Sequence, residues 1–281
     1  MRSMAQWHPI NENHAIDVMA AIVNFAEPVP DLLLKRVVKS TEDLAFASGL
    51  RSRHTFQQPF LSIINGQAAV QQAPQVQGRI YNSIVEGPPG EPLSSRIAEQ
   101  VQVTQGFLAY RTWQYVSWNW QLERIRALLG SALSMVVGSV LVGNIRLEYL
   151  DRFYFDGTPD QAAPDLVLRK DSPYVAPHVF SRRDLWHSHT GAFLPGDNKS
   201  KRLEQVHIDA LDQPGANTEN IRCMNLMTAR EDRYIEVGDD QSAEEILASF
   251  DAMHDDLIKL LGEVVTKDIA GRIYLTNGAE P

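Results

Sequence analysis

The spacing of apolar and polar residues predicts a central strand, helix and strand over residues 106–156. Aromatic and β-favouring side chains over residues 107–115 predict the first strand. Ser117 suits a helix N-cap, and apolar residues then recur at three- and four-residue intervals until Gly138, which suits the end of a helix. From Ser139 the period changes to two, which predicts a long strand. The rest of the chain is expected to pack around this unit.

Two further helices are predicted on either side of the central unit. The first covers residues 30–47, has an apolar stripe, and begins at Pro30, which is well tolerated in a first helical turn. The second covers residues 242–265, and Ser242 and Glu245 at its start have the spacing of a capping box. Helices of this kind need a partner for their apolar faces.

Short strands are predicted before the first helix and between the helices. They cover residues 14–25, 56–64, 76–86, 97–104, 203–211 and 221–228, with residues 234–237 as an extension of the last. The Gln-rich residues 67–77 are expected to form a solvated loop.

The order of elements predicts an α+β fold. We expect a largely antiparallel sheet with three main helices, about 30–47, 117–137 and 242–265, packed on it. A single compact domain over residues 1–281 is the favoured organisation. Two similar halves, 12–116 and 117–281, are an alternative, although no residue-level repeat has a fixed period.

Composition narrows the function classes. A chain of 281 residues that is 44% apolar can bury a full core. Its formal charge of −9 disfavours nucleic acid as a partner. The only cysteine, Cys223, excludes an internal disulfide and a Cys-rich zinc module. No apolar run has the length of a signal sequence or a membrane helix, so a cytoplasmic protein without membrane contact is predicted.

Four segments carry a resemblance to a known family: HAIDVMAAIVNFAEPVP, FLAYRTWQYVSWNWQLERI, IRLEYLDRF and FDAMHDDLIKLLGEVVT. In these segments the chain resembles an uncharacterised bacterial protein family described as sporadically distributed. The likeness covers most of the chain in order and rests on aromatic and apolar framework positions. It implies a shared fold and a mobile-element, defence or toxin-related context. It implies no activity and no catalytic residues.

Residues 177–191, PHVFSRRDLWHSHTG, hold the main concentration of candidate chemistry. His187 and His189 are two residues apart, so on a strand they would face the same side, as a pair of metal-binding imidazoles does. The residues proposed to complete a divalent metal site are His178, Asp184 and His207, with Asp209 as a further candidate. A surface loop with histidines and no cofactor is the simpler interpretation, because a lone HxH motif has low specificity.

Charged residues suggest two further interpretations. Arg182, Arg183 and Arg202 are candidates for a phosphate-binding patch, but nearby acidic residues favour solvated loop charge instead. On the central strand, a group of charged residues is expected to form structural pairs: Arg146, Glu148, Asp151 and Arg152. His254 is expected on the polar side of the last helix.

Signatures of several enzyme classes are absent from the sequence. It contains neither a GxxxxGK[ST] loop nor a GxGxxG motif after a strand, which disfavours ATP hydrolysis and dinucleotide redox chemistry. Ser117 and Ser188 have no nucleophile-elbow context, and Cys223 is predicted to be an inert residue in an apolar strand. The sequence therefore leaves catalysis undecided and favours a non-catalytic role.

Aromatic residues provide the leading functional hypothesis. Trp118 and Trp120 cannot share one helix face, so at least one ring is expected to be partly exposed to a partner. The full candidate interaction set is Trp113, Tyr115, Trp118, Trp120 and Trp186. These residues predict a non-catalytic protein that binds a ligand, another protein or its own copy. The alternative is a metal-dependent hydrolase that acts on a phosphodiester through the His-rich segment.

Overall fold

The computed structural model describes residues 6–57, 61–64, 67–70, 76–85, 96–194, 200–214, 220–235 and 241–275. These residues form an α+β fold in which a large antiparallel sheet carries helices on one face. The predicted fold class is confirmed.

The main sheet is built from strands that alternate inward and outward side chains. Its members are β1 (Trp7–Pro9), β2 (Ile16–Phe25), β3 (Ser52–Gln57), β6 (Val76–Val85), β7 (Arg96–Thr104), β8 (Phe107–Thr112), β9 (Val142–Phe155), β10 (Trp186–Leu194), β11 (Ser200–Pro214) and β12 (Asn220–Tyr234). A separate hairpin consists of β4 (Leu61–Ile64) and β5 (Gln67–Val70).

The strand order is β10-β11-β12-β9-β2-β8-β7-β6-β3, with β1 paired to β9. Every strand pair in the described residues is antiparallel. Strands from the beginning of the chain therefore lie on one side of the central β2–β9 pair, and strands from the end lie on the other.

Three main helices cover the inward face, and the predicted bounds agree closely with them. They are α1 (Asp31–Ala47), α2 (Trp118–Val137) and α3 (Ala243–Val264). Ser117 caps α2 by accepting the Trp120 amide hydrogen, and Ser242 and Glu245 form the predicted capping box of α3. A short fourth helix, α4 (Lys267–Arg272), was not predicted.

The two sides of the sheet follow a similar chain course. After β2 the chain crosses through α1 to the edge strand β3, and it returns through β6, β7 and β8 to the centre before α2. After β9 it crosses to the edge strand β10 and returns through β11 and β12 before α3. Both courses end in a long helix, but the residues between β9 and β10 form 3-10 turns where the first course has α1.

Two local predictions were wrong. Residues 56–64 do not form one strand, because β3 ends at Gln57 and β4 begins at Leu61. The Gln-rich segment is not only a loop, because Gln67–Val70 pairs with Leu61–Ile64 and residue 76 begins β6. The segment Leu61–Ile64 is rich in β-favouring residues, so the residues that follow have a pairing partner close by in the sequence. Of the segments predicted as strands or loop, residues 58–60, 65–66, 71–75, 86 and 236–237 lie outside the described residues.

The core lies between the inward sheet face and the helices. Strand β9 shows how the sheet contributes to this core. Its residues alternate, so that Ile145, Leu147 and Phe153 are buried and their neighbours on the strand are partly exposed. On the outward face Arg146 donates to Glu148 (2.7 Å), Gln205 (2.6 Å) and Glu231 (3.3 Å), so its charge is balanced as predicted. Within the described part of the chain, no helix has the length and hydropathy needed to cross a membrane.

The capping box at the start of α3 leads to a prediction about its contribution to stability. Ser242 Oγ accepts the Glu245 amide hydrogen at 3.1 Å, so Ser242→Ala is expected to lower the free energy of unfolding by about 1 kcal/mol. Ser249→Ala is the matched control, because its hydroxyl only donates to a carbonyl inside the helix and a change within about 0.5 kcal/mol is expected. Urea unfolding measures both, and equal losses would contradict the assigned cap.

Candidate functional site

A pocket of about 590 Å³ lies between the inward face of the sheet, the start of α2, the C-terminal half of α3 and the residues that follow α4. Its floor is formed by β9 and β12, and its walls come from the segment before β2, from residues on either side of Ser117, and from α3. Residues 273–275, which follow α4, close one side. Several distant parts of the chain therefore meet at one cavity.

The alternation of β9 places two polar side chains at the floor. Tyr149 and Asp151 follow Ile145 and Leu147 on the inward side of the strand. Thr228 of β12 is directly opposite Tyr149 and is also buried. Above them, Asp251, His254 and Asp255 are three and four residues apart on α3, so that they share the helix face over the pocket.

Asp151 is the most unusual residue of the pocket. Its relative exposure is 1%, and neither carboxyl oxygen has a hydrogen-bond partner among the described residues. Burial raises its pKa from 3.8 to about 7. Buried polar groups are normally hydrogen-bonded, and strongly perturbed acids in clefts are a recognised mark of functional sites. The predicted structural pairing of Asp151 is therefore wrong, because the strand turns it away from the outward-facing arginines.

Five rings form a continuous chain around the pocket. His14 and Tyr115 meet edge to face with ring centres 5.5 Å apart, and Tyr115 meets Tyr149 in the same way at 6.1 Å. The Tyr149 hydroxyl is hydrogen-bonded to His254 Nδ1 at 2.9 Å. His254 stacks on Trp118 with ring centres 4.4 Å apart. These contacts hold the aromatic wall in a defined arrangement.

Both imidazoles of the wall are neutral at pH 7. Burial lowers the pKa of His254 to about 4, against the opposing effects of Asp255 and Asp251. Burial also lowers the pKa of His14, although its backbone hydrogen bonds with Tyr115 and Ile16 act the other way. The prediction that His254 lies on the polar side of its helix was wrong, because its exposed fraction is only 6%.

The pocket combines an acidic floor and rim with aromatic walls. At the rim, Trp118 Nε1 donates to Asp251 Oδ1 at 2.6 Å, which fixes one carboxylate against the wall. Such a lining can enclose an organic molecule and hydrogen-bond a donor group on it. A carboxyl with a pKa near 7 can also exchange a proton with a bound molecule.

Three of the five predicted metal ligands come together elsewhere. His187, His189 and His207 lie on the outward face of β10 and β11, with ring centres 5.3 Å and 4.3 Å apart in that order. His189 Nε2 is 3.1 Å from Asp209 Oδ1. As placed, no three such donor side chains in the described residues surround a common point.

The other two predicted ligands make contacts within their own loop. The His178 carbonyl accepts the Ser181 hydroxyl, and the Asp184 carboxylate accepts the Leu185 amide. Their side chains are exposed, whereas His207 is partly buried. This partial burial, and then neighbouring His189, lower the pKa of His207.

The proposed phosphate patch is divided. Arg202 lies on the inward side of β11 and donates to Asp232 at 2.7 Å and to Asp256 at 3.1 Å. Arg182 and Arg183 lie in the exposed loop before β10, where Arg183 donates to the Arg182 carbonyl. The charge of Arg202 is thus already balanced by carboxylates.

The predicted interaction aromatics have different environments. Trp113 and Trp120 are 38% and 40% exposed, and the Arg124 guanidinium lies 5.5 Å from the Trp120 ring centre. Trp118 is buried in the pocket wall, and Tyr115 and Trp186 are partly buried. Tyr115 and Trp118 therefore belong to the pocket, whereas Trp113 and Trp120 lie outside it and are exposed to solvent.

The sequence did contain a signal for the missed site. Residues 145, 147, 149, 151 and 153 have the spacing of one strand face, and Asp151 interrupts an otherwise apolar and aromatic series. A charged residue on the buried face of a predicted strand means either that the strand prediction is wrong or that the residue has a function. His254 offered no comparable signal, because its neighbours in the sequence are acidic.

The buried carboxyl predicts an unusual dependence of stability on pH. Because burial raises the pKa of Asp151, the folded protein binds more protons than the unfolded protein between about pH 4 and pH 7. Ionisation of Asp151 therefore lowers the free energy of unfolding as the pH rises through this range. Asp151→Asn is expected to raise the free energy of unfolding at pH 8 by on the order of 3 kcal/mol. The difference between the variant and the original protein should decrease as the pH is lowered to 4.

Urea unfolding between pH 4 and pH 8 measures this effect. Asp43→Asn, an exposed position on α1, is the control and should leave the curve unchanged. A variant Asp151→Asn that is no more stable than the original protein at pH 8 would contradict the assigned burial cost.

Comparison with known proteins adds no family assignment: no protein-family model matches the chain, and no curated protein matches it.

Proposed function

We propose that this protein is a non-catalytic ligand-binding protein and that the pocket beside Asp151 is its binding site. The observation that carries the proposal is the buried Asp151 carboxyl without a hydrogen-bond partner among the described residues. An unsatisfied buried polar group costs about 1–3 kcal/mol, and more when it is charged. A ligand with a matching polar group would recover that free energy on binding.

The dimensions and lining support the same conclusion. Small-molecule sites typically enclose roughly 300–1,000 Å³ and combine apolar walls with a few polar groups. This pocket has a volume of about 590 Å³, with Leu257, Ile258 and Leu261 on one side and the aromatic wall on another. The polar groups are concentrated at the floor and at one rim.

The end of α4 supplies one wall of the pocket. Tyr274, which lines it, has a φ of 55° and is the left-handed residue of a Schellman motif. In this motif the Leu275 amide donates to the Ala270 carbonyl at 2.8 Å, and the Tyr274 amide donates to the Gly271 carbonyl at 3.4 Å. The motif turns the chain after α4, and residues 273–275 line the cavity.

Filling the pocket tests the proposal. Ile258→Trp places a large ring in the cavity, whereas Ala252→Trp places the same ring on an exposed part of α3 and is the matched control. In saturation-transfer NMR with a panel of small neutral, anionic and cationic aromatic compounds, we expect binding to the original protein and to the control but not to Ile258→Trp.

Circular dichroism establishes that both variants are folded before they are compared. Binding that persists in folded Ile258→Trp would place the site elsewhere, and a panel without any binding would contradict a small-molecule site of this kind.

The convergence of His187, His189 and His207 favours one second candidate, the metal-dependent hydrolase. Three imidazoles from adjacent strands match the number of protein ligands at a catalytic zinc site. Their nitrogens would have to turn towards a common point by side-chain rotation. Hydrolysis of a phosphodiester would require the ion to activate water at an open position.

Calorimetric titration with zinc tests this alternative. If the site exists, one ion binds, His207→Ala abolishes binding, and His178→Ala, which changes a histidine outside the cluster, does not. Absence of binding above background would remove the metal hypothesis and with it the hydrolase.

The remaining functional predictions belong to the same proposal. Binding of a protein partner or a second copy would use the exposed Trp113 and Trp120. A cytoplasmic location is supported by the single cysteine, which is buried and whose thiol pKa is raised by burial to about 11. Bacterial origin and a mobile-element, defence or toxin-related context stay predictions from the family resemblance.

A further inference from the structure

We propose that the pocket selects a small organic cation with an aromatic or apolar body and a primary or secondary ammonium group. The inference rests on the proposed function, because it assigns a ligand class to the same pocket. Three separate features of the lining support it: its charge, its aromatic wall and the unmet hydrogen-bonding capacity of Asp151.

The charge of the lining favours a cation. Its carboxyl groups are Asp151 at the floor and Asp251 and Asp255 at the rim, and the residues described around it include no lysine or arginine. Its two imidazoles are neutral at pH 7, because burial lowers the pKa of both. A cleft with one sign of charge and low-dielectric walls attracts the opposite charge and repels its own.

The aromatic wall suits the same ligand. Tyr115, Trp118 and Tyr149 line the cavity beside the acidic groups. The faces of such rings attract ammonium groups, and tryptophan does so most strongly. The rings also provide apolar surface for the body of the ligand, which an inorganic cation could not use.

The unmet hydrogen-bonding capacity of Asp151 favours a cationic nitrogen that carries hydrogen. Both carboxyl oxygens lack a partner among the described residues, and each accepts hydrogen bonds when ionised. A primary ammonium has three N–H donors and can satisfy them with charge-assisted hydrogen bonds. A quaternary ammonium has none, so it would leave the buried oxygens unsatisfied.

Binding should strengthen as the pH rises. The ammonium needs the ionised carboxylate, and the pKa of Asp151 is about 7, so affinity is expected to rise roughly tenfold per pH unit below 7 and to level off above it. His14 ahead of β2 and His254 on α3 face the pocket as well, and their protonation in acid would weaken binding further. The other titratable side chains that line it are Tyr115, Tyr149, Asp251, Asp255 and Tyr274.

Four probes of similar size test the inference by calorimetry: 2-phenylethylammonium, 2-phenylethanol, 3-phenylpropionate and trimethyl(2-phenylethyl)ammonium. At pH 8 we expect the primary ammonium to bind at least about tenfold more tightly than each of the other three. Asp151→Asn should remove this preference, while Asp43→Asn should retain it. The Asn variant keeps the shape of the side chain and removes its charge.

The outcomes separate this inference from the proposed function. If the alcohol or the carboxylate binds as tightly as the ammonium and Ile258→Trp abolishes that binding, the preference for a cation is contradicted, but the pocket is still the binding site. If the quaternary ammonium binds equally well, or if Asp151→Asn keeps the preference, the role of Asp151 is wrong. If none of the four probes binds, both proposals fail for ligands of this size.

Discussion

The pairing of β2 with β9 at the centre of the sheet is the constraint on which the rest of the structure depends. Strand β9 also pairs with β12 and β1, so it joins the strands of the beginning and the end of the chain in one sheet. Its alternation gives α3 an apolar surface on one side and leaves charged pairs on the other. A shift of one residue would exchange these two faces and expose the apolar set.

The same alternation holds Asp151 in the core. Ile145, Leu147 and Phe153 share its face and are completely buried, and each such side chain stabilises the fold by about 1.5–3 kcal/mol on burial. Together these contributions exceed the cost of one unsatisfied carboxyl, so the strand cannot turn its acid outward without a larger loss. The strand thus keeps an unfavourable residue in place, as a binding site requires.

Local signals predicted the helices well, and long-range geometry explains what was missed. Ser117 and the Ser242–Glu245 box mark helix starts through contacts within three residues, which a sequence displays directly. The pocket joins Tyr149 to His254 and Trp118 to Asp251 across more than a hundred residues, and no local pattern contains such contacts. His187 and His189 share a face as predicted, but their meeting with His207 depends on the β10–β11 register.

The two faces of the sheet differ in how far their polar groups are satisfied, and this difference gives the inward face priority as a functional site. On the outward face Arg146 is surrounded by two carboxylates and an amide, and His189 has Asp209, so these groups already have hydrogen-bond partners within the protein. On the inward face Asp151 has aromatic neighbours, an open cavity and no hydrogen-bond partner in the described chain. Because a buried acid gains most from a partner where water is excluded, binding energy is concentrated there.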